Sequence, residues 1–490
     1  MEVFWTNIRE VPLYVFNNLV FINFILAAII VFFQRKDPKS VWAWLLILYF
    51  IPIVGFVFYL LIGTDMYKRR IFRTKEIEDR LNRAIRQQEY NIRNKEMGYS
   101  NKVVRNYEDL VLFNLKTSGS ILTKQNDVAI FTDGREKFKS LIDDMRGAQS
   151  TIHVQYYIIR DDEVFGEINA VLKEKAAEGI EVRVLYDSMG CRAIRESYWR
   201  NLRSCGVAIA EFFPALLRRL HLRVNYRNHR KIVVIDGKIG YTGGFNVGRE
   251  YIGLNRRFGY WRDTHLRIEG EAVQALQVRF MLDWNHATKG RRLSMERYLS
   301  DVDYPLKGQC DIQIVTSGPD TGMQNVRDNY LRLITKAKRC IYIQTPYFIP
   351  DEAILSALTI AIFSGIEVNI MIPCKPDHPF IYWATYSYVG TLVMIGANCY
   401  TYDHGFLHAK VMVVDEEVIC CGSANMDIRS FALNFEVNAT IYNEEKAREM
   451  TAIFNRDIEQ SSPISKDRYS GRSLMIRFKE QVSRTLSPLL

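Results

Sequence analysis

One pattern occurs twice in this chain, and it constrains the fold more than any other feature. The sequence reads His-x-Lys-x4-Asp, six further residues, and Gly-Gly-x-Asn over residues 229–246. Over residues 408–425 it reads His-x-Lys-x4-Asp, six residues, and Gly-Ser-x-Asn. A lone His-x-Lys carries little information, but the whole pattern at identical spacing in two places is highly specific. The chain is therefore predicted to contain two copies of one structural unit.

The segments that precede the two patterns also resemble each other. Residues 150–187 and 338–374 each contain an apolar run, a turn, a stretch of helical periodicity, the tetrapeptide Gly-Ile-Glu-Val and a second apolar run. This order indicates a β-turn-α-β unit, from which parallel sheets are built. We therefore predict an α/β fold with two pseudo-symmetric lobes, residues 120–305 and 306–490. An apolar helical stretch at 378–396 is interpreted as a buried crossover helix.

The composition excludes several other classes of protein. Of 490 residues, 48% are hydrophobic and 24% are charged, values typical of a chain that forms a core rather than a disordered, collagen-like or low-complexity chain. The eight cysteines include no Cys-x-x-Cys pair, which argues against a zinc site or a disulfide scaffold. The net charge of +10 indicates an anionic partner or surface.

The N-terminal region is predicted to anchor the chain in a membrane. Residues 11–33 and 41–62 are uncharged and apolar, and each is long enough to cross a bilayer, for which about 20 residues suffice. A cleaved signal peptide is the alternative, but the first stretch is too long for one and a second stretch follows almost at once. We predict a two-helix transmembrane hairpin within residues 1–65.

Basic residues set the expected orientation of the hairpin. Its loop carries Arg35, Lys36 and Lys39, whereas six Lys and Arg residues flank its two ends, which predicts that both ends lie in the cytoplasm. Residues 66–119 are predicted to form a basic juxtamembrane helical linker. Between residues 66 and 105, 12 Lys and Arg stand against five Asp and Glu, which favours contact with anionic lipid, with a solvated helix surface as the alternative.

The paired motifs point to phosphate chemistry. Side chains alternate along a strand, so His229 and Lys231 share one face, as do His408 and Lys410. Two such strands brought together place two imidazoles and two ammonium groups around one small volume. Lysines stabilise phosphate oxygens, neutral imidazole attacks phosphorus, and imidazolium protonates a leaving oxygen. We find no carboxylate cluster of the two-metal type and predict a phosphoryl-transfer site without a metal or cofactor.

The other polar residues of the motifs receive different expected roles. Asp236 and Asp415 complete the catalytic motifs but have the opposite strand parity, and Asp236-Gly237 is a hairpin signal, which predicts an orienting or strand-end role. Asn246 and Asn425 are predicted to donate amide hydrogens to the phosphate. His265 is either a further site residue or a structural histidine.

A catalytic histidine needs a carboxylate that orients it. Asp263 follows His229 by about 34 residues, and Glu436 follows His408 by about 28. Each acid is expected to reach back from an adjacent strand, and an ordinary surface acid is the alternative.

These residues resemble the phospholipase D superfamily, which the duplicated His-x-Lys-x4-Asp motif defines. The hairpin, the basic linker, WRDTHLRIEG at 261–270 and the NFE stretch at 434–436 are together similar to bacterial cardiolipin synthases, over essentially the whole chain. The resemblance implies a two-lobed fold with the site between the lobes. It also implies a bacterial cell-membrane enzyme that transfers a phosphatidyl group from one phosphatidylglycerol to another, giving cardiolipin and glycerol.

In that family the first-motif histidine is usually the nucleophile, which implies a phosphatidyl intermediate on His229, with His408 as the acid and base. The resemblance also implies a phosphate contact for Ser423. Gly244 stands at the corresponding position of the first motif, where many superfamily members carry Ser, so a hydroxyl contact is not expected in that lobe.

Other functions on the same fold stay open at this point. A membrane-bound hydrolase of the phospholipase D type, a phosphatidylserine synthase and a nuclease share the motif. The membrane hairpin counts against a nuclease and against a nucleic-acid partner. A non-catalytic membrane scaffold is opposed by the completeness of both motifs. The sequence does not define an oligomeric state.

Overall fold

The computed structural model describes residues 21, 24, 25, 28, 38–50, 75–99, 101–214, 226–288, 293–299, 308–375 and 377–487. Two compact units are distinguished. The described residues up to Phe50 belong to the first unit, and those from Lys75 onwards belong to the second. Both repeats of the histidine motif lie in the second unit.

The described part of the first unit contains one apolar helix, α1, Pro38–Phe50. Most of the two predicted membrane spans, 11–33 and 41–62, falls outside the described residues. Among the helices that the structure describes, none combines the length and the apolar character needed to cross a bilayer.

The region predicted as a basic linker is mostly helical where it is described. Gln88 fixes the first of these helices to the sheet, because its side-chain amide exchanges hydrogen bonds of 2.9 and 2.8 Å with the backbone of Leu122. Buried residues of the next two helices join a hydrophobic cluster whose other members lie mostly in the second lobe. The helices are α2, Lys75–Arg93; α3, Val103–Asn106; and α4, Glu108–Ser118.

The first lobe alternates strands and helices. Its strands are β1, Leu122–Phe131; β2, Thr151–Tyr156; β3, Glu181–Asp187; β4, Ala208–Phe212; β5, Arg227–Asn228; β6, Ile232–Ile235; β7, Ile239–Gly243; β8, Tyr260–Arg262; and β9, His265–Glu269. Its helices are α5, Gly134–Arg146; α6, Glu163–Ala177; α7, Glu196–Ser204; α8, Ala272–Thr288; and α9, Met295–Leu299.

The second lobe repeats this order. Its strands are β10, Cys310–Ser317; β11, Cys340–Gln344; β12, Phe348–Ile349; β13, Glu367–Pro373; β14, Asn398–Tyr402; β15, Gly405–Leu407; β16, Val411–Val414; β17, Val418–Gly422; β18, Met426–Asp427; β19, Asn434–Tyr442; and β20, Ser461–Pro463. Its helices are α10, Asn325–Lys336; α11, Glu352–Phe363; α12, Pro379–Ile395; α13, Ile428–Ala432; α14, Glu444–Glu459; α15, Lys466–Ser470; and α16, Leu474–Leu486.

One 16-stranded sheet runs through both lobes. Its main path is β20-β14-β13-β11-β16-β17-β19-β10-β1-β9-β7-β6-β2-β3-β4, and the lobes meet where β1 pairs antiparallel with β10. The order β9-β7-β6-β2-β3-β4 matches β19-β17-β16-β11-β13-β14 strand for strand. The prediction of two related α/β lobes is therefore confirmed, while the boundary near residue 306 stays a prediction.

The central strands explain why the four residues between Lys and Asp in each motif are all apolar. All four residues of IVVI in β6 and of VMVV in β16 are buried. A strand covered by helices on both faces has no solvent-facing position, so its side chains do not alternate in polarity. The predicted crossover helix at 378–396 is α12, and it buries Ala384, Val389 and Leu392.

Two short strand pairs cross between the lobes. Strand β5 of the first lobe pairs in parallel with the start of β19, and β15 of the second lobe pairs in parallel with β8. The backbone N–H of His229 donates to the carbonyl oxygen of Phe435 (3.0 Å), and that of His408 donates to the carbonyl oxygen of Arg262 (2.7 Å). Each lobe therefore places the segment before its own histidine against the segment before the other lobe's carboxylate.

Asp236 and Asp415 occupy equivalent turns at the ends of β6 and β16. Both have positive φ, 53° and 54°, in the left-handed region that aspartate tolerates in tight turns. The Asp236 carboxylate accepts hydrogen bonds from the backbone of 149–151, and the Asp415 carboxylate accepts from the backbone of 338–340. Each aspartate thus holds the start of the neighbouring strand, β2 or β11.

Candidate active site

His229 is held by a carboxylate of the opposite lobe. Its Nδ1 lies 3.0 and 3.1 Å from the two carboxylate oxygens of Glu436, which is fully buried in β19. A ring nitrogen that donates to a carboxylate fixes the tautomer, so the lone pair for chemistry is on Nε2. The Tyr157 ring packs edge-on against the imidazole, with ring centres 4.9 Å apart, and fixes its plane.

His408 has the reciprocal arrangement. Its Nδ1 lies 2.6 Å from Oδ2 of Asp263, a fully buried residue of the first lobe. The Trp261 ring, 5.1 Å away between centres, packs against this imidazole. Both histidines border a single cavity of about 540 Å³.

The carboxylates were expected within reach of the histidine of their own repeat, and that part of the expectation is wrong. Asp263 contacts His408 rather than His229, and Glu436 contacts His229 rather than His408. The physical reason is the pair of crossing strands, β5 with β19 and β8 with β15, which carry each acid into the other lobe.

The two carboxylates are supported differently. Glu436 accepts a hydrogen bond from the Ser423 hydroxyl and one of 3.2 Å from the Asn434 amide. Asp263 accepts from the backbone N–H of Thr264 (2.7 Å) and lies against Gly244, where an added Cβ would stand 1.9 Å from Oδ1. The shorter acid reaches its histidine only because the motif position beside it is a glycine.

This contact corrects the expected role of Ser423. The hydroxyl was predicted to bind phosphate, yet it donates to Glu436 and accepts from the backbone N–H of Val437 (3.0 Å). Ser423 is fully buried and is not among the described residues that border the cavity. Its observed contacts are those of a group that holds the carboxylate behind His229.

The two motif asparagines both border the cavity, as a phosphate contact requires. Asn246 uses its amide to donate to the Tyr251 hydroxyl (3.1 Å) and to accept from the backbone N–H of Ile158 (3.2 Å). One of its two N–H groups therefore remains for a ligand. Asn425 is buried, and its Oδ1 has no hydrogen-bond partner among the described residues.

Lys231 and Lys410 lie beneath the imidazoles rather than in the cavity wall. Each ammonium donates to the carbonyl oxygen of its own motif histidine, Lys231 at 2.6 Å. Burial lowers the pKa of Lys231 to about 7 and that of Lys410 to about 8. Their charge acts on a phosphate through a poorly polarisable medium, in which Coulomb interactions are stronger than in water.

Burial also decides the charge of the two histidines. It lowers the pKa of His229, with Glu436 opposing the shift, and burial together with the Lys410 ammonium lowers the pKa of His408 to about 4. Burial alone would raise the pKa of Glu436 and Asp263, but the neighbouring imidazoles and ammonium groups lower both values. The resting site therefore contains ionised carboxylates and neutral imidazoles.

Two buried arginines position the crossing segments. Arg230 binds both oxygens of Asp283 at 2.9 Å, and its Nε donates to the carbonyl oxygen of Glu436 (3.1 Å). Arg262 binds Asp457, with Nη2 2.8 Å from Oδ2. Neither ion pair was predicted from the sequence, although each arginine adjoins a predicted site residue.

Three further predicted residues also lie outside the cavity. Asp236 and Asp415 lie at strand ends, as described above, and do not border it. His265 is fully buried in β9 and likewise does not border the cavity, so its position is that of a structural histidine. All eight cysteines are free, in agreement with the absence of a disulfide scaffold.

A duplicated α/β unit that brings two histidines to one cavity is the architecture of the phospholipase D superfamily. A family model described as cardiolipin synthase, PLD-like domain, matches residues 141–284 and 330–458, and one described as phospholipase D-nuclease N-terminal matches residues 21–63. The chain belongs to the cardiolipin synthase family.

Individual relatives agree with this assignment. The chain is 48% identical to the major cardiolipin synthase ClsA of Bacillus subtilis, over 96% of this chain and 98% of that protein. It is also 48% identical to cardiolipin synthase 2 of Staphylococcus epidermidis, over 96% of each. The crystal structure of a phosphatidylserine synthase from Haemophilus influenzae has the same fold, with a TM-score of 0.58, 15% identity, and coverage of 79% of this chain and 97% of that one.

The glycine beside Asp263 leads to a first prediction. We expect Gly244→Ser to lower the lipid-transfer rate by about 10²-fold, because the new Cβ displaces Asp263 from His408. The matched change Ser423→Gly removes one hydrogen bond to Glu436 and introduces no clash, so a loss of about tenfold is expected. Initial rates measure both effects, and thermal unfolding checks that both variants fold. A Gly244→Ser enzyme with the wild-type rate would contradict a role for Asp263 at His408.

The pKa shifts lead to a second prediction. Protonated His229 cannot attack phosphorus, so kcat/KM is expected to fall at acidic pH, below the ordinary histidine value of about 6.5. Deprotonated lysines no longer stabilise phosphate, so kcat/KM is expected to fall again as pH rises through about 7 and about 8. Rates at subsaturating lipid across this range test the bell shape, and a rate that still increased at about pH 9 would contradict it.

Proposed function

We propose that the protein is a cardiolipin synthase that transfers a phosphatidyl group between two phosphatidylglycerol molecules through a phosphohistidine intermediate. The observation that carries this proposal is the pair of carboxylate-held imidazoles, His229 and His408, on one cavity. Nucleophilic transfer in two steps needs one group that forms the covalent bond and one that moves the proton. Membership of the cardiolipin synthase family supports the choice of lipid substrates.

In the first step, Nε2 of neutral His229 attacks the phosphorus of the donor, and the bond from phosphorus to the glycerol oxygen breaks. His408 supplies the proton that the departing glycerol needs. Burial and the Lys410 ammonium keep His408 neutral, but a bound phosphodiester adds a negative charge beside it, and an adjacent anion favours imidazolium. Substrate binding thereby creates the acid.

In the second step, a hydroxyl of the acceptor's glycerol gives its proton to neutral His408 and attacks phosphorus, and the bond between phosphorus and His229 breaks. Cardiolipin leaves and His229 is neutral again. His408 again carries the proton that it took up from solvent when substrate bound, and it returns this proton to solvent as the product departs. Glu436 and Asp263 hold Nδ1 of each ring throughout, which keeps Nε2 directed at the reacting phosphate. The buried lysines stabilise the charge on the phosphate oxygens.

Histidine variants test this mechanism. With phosphatidylglycerol labelled in its headgroup glycerol, the wild type should give cardiolipin and free labelled glycerol. His229→Ala should form neither cardiolipin nor an acid-labile lipid adduct, because the nucleophile is absent. His408→Ala should be slower by about 10² to 10⁴-fold, since it retains the nucleophile but lacks the acid.

A matched control is His404→Ala, because His404 is exposed and does not border the cavity. It should have the wild-type rate. Phosphatidic acid in place of cardiolipin would indicate a hydrolase. An adduct that forms in His229→Ala and never in His408→Ala would show that the two histidine roles are reversed.

The same proposal includes an N-terminal membrane hairpin with the two lobes in the cytoplasm of a bacterial cell. The match of residues 21–63 to the N-terminal family model and the apolar helix α1 support it.

Helix α16 supports further contact with anionic lipid. It exposes Leu474, Met475 and Phe478 by 81%, 62% and 66%, next to exposed Arg477 and Lys479. Apolar and basic residues together on a surface helix favour an anionic bilayer interface.

Membrane vesicles of known orientation test the topology. If the lobes lie in the cytoplasm, an added protease should digest them in inverted vesicles and leave them intact in right-side-out vesicles. Detergent-opened vesicles provide the control, since both preparations should then be digested. Digestion confined to right-side-out vesicles would contradict the proposed orientation.

A further inference from the structure

The walls of the cavity differ in charge, although a duplicated fold builds them. Two residues before the motif histidine the chain has Arg227 in the first lobe and Phe406 in the second. Four residues after the motif asparagine it has Glu250 in the first lobe and Arg429 in the second. If Arg227 and Arg429 lie together at one wall, the pseudo-twofold relation places their counterparts, Phe406 and Glu250, at the opposite wall.

The two arginines do meet at one wall. Arg227, Arg429 and Tyr157 all border the cavity. Burial lowers the pKa of Arg429, and the Arg227 guanidinium lowers it further, which shows that the two cations repel each other there. Asp427 also borders this wall and partly opposes that repulsion, while its carboxylate caps helix α13 by accepting from the N–H of Ser430 (2.6 Å).

Among the residues that the structure describes, the opposite wall has no comparable pair of cations. Its arginine, Arg160, lies 3.8 Å from the Glu250 carboxylate. Phe258 and Trp261 supply apolar surface to the cavity, and Phe406 is buried behind Trp261 with ring centres 4.8 Å apart. This wall suits an uncharged group, whereas the arginine wall suits an anion.

We propose that Arg227 and Arg429 bind the phosphate of the acceptor lipid while the donor phosphate lies between the two histidines. The proposal rests on the proposed function, because a reaction between two phosphatidylglycerol molecules brings two phosphodiesters into one cavity. Arg227 precedes His229 by two residues, so their α-carbons in an extended chain are about 6.6 Å apart. That spacing is comparable to the glycerol bridge that separates the two phosphates of cardiolipin. Guanidinium groups bind phosphate with paired, charge-assisted hydrogen bonds.

Two reactions of the same enzyme separate this subsite from the catalytic centre. Cardiolipin formation uses an acceptor that has a phosphate, whereas exchange of free labelled glycerol into phosphatidylglycerol uses an acceptor that has none. We expect Arg227→Gln and Arg429→Gln each to lower cardiolipin formation at subsaturating lipid by about tenfold or more. Glycerol exchange by the same variants should stay within about twofold of the wild type, because the donor site is intact.

Arg160→Gln is the matched control, since it removes an arginine from the other wall and should leave the ratio of the two reactions unchanged. Arg429→Lys keeps a charge and should recover part of cardiolipin formation. Equal losses in both reactions, or no loss in either, would overturn the subsite alone. A wild-type enzyme that exchanges glycerol but forms no cardiolipin would overturn the proposed function and the subsite with it.

Discussion

The reciprocal contact between each histidine and the other lobe's carboxylate is the constraint on which the site depends. His229 and Glu436 are 207 residues apart in the chain, and His408 and Asp263 are 145 apart. A catalytic imidazole is useful only when its ring is held, and here each ring is held from across the interface. The geometry of the site therefore depends directly on how the two lobes are aligned. A small shift between the lobes would release both imidazoles at once.

Buried ion pairs keep that alignment in place. Arg262 of the first lobe pairs with Asp457 of the second, whereas Arg230 pairs with Asp283 of its own lobe and donates across the interface to the carbonyl oxygens of Glu436 and Ser317. Gln155 and Gln344 donate to the two aspartates at 2.7 Å. The arginines come from different positions of the repeat, one following a histidine and the other preceding a carboxylate. Breaking a buried pair by removing one partner leaves an uncompensated charge, which is strongly destabilising. Separating the lobes at these arginines would therefore be unfavourable in free energy.

Much of this architecture could be predicted from the sequence, because it is set by local pattern. The repeat of apolar runs and Gly-Ile-Glu-Val predicts two equivalent lobes, and strand parity places Asp236 and Asp415 away from the imidazoles. The exchange of carboxylates could not be predicted, since spacing along the chain favours Asp263 with the nearer His229. Ser423 is a similar case, because its contact with Glu436 depends on how β17 and β19 pair. Strand parity also places Arg227, two residues before His229, on the same side of the chain as that histidine.

The first lobe has Gly244 at the motif position where the second lobe has Ser423. This difference has a consequence for how such a site can originate. A homodimer of single repeats would have to present the same residue on both sides of its axis. It would therefore need one carboxylate length and one neighbouring residue that suited both histidines, and its cavity walls would be identical. Once both copies are joined in one chain, each half can change without altering the other. Covalent fusion thus turns a symmetric pocket into one with distinguishable ends, which a reaction between two like molecules requires if donor and acceptor are to be ordered.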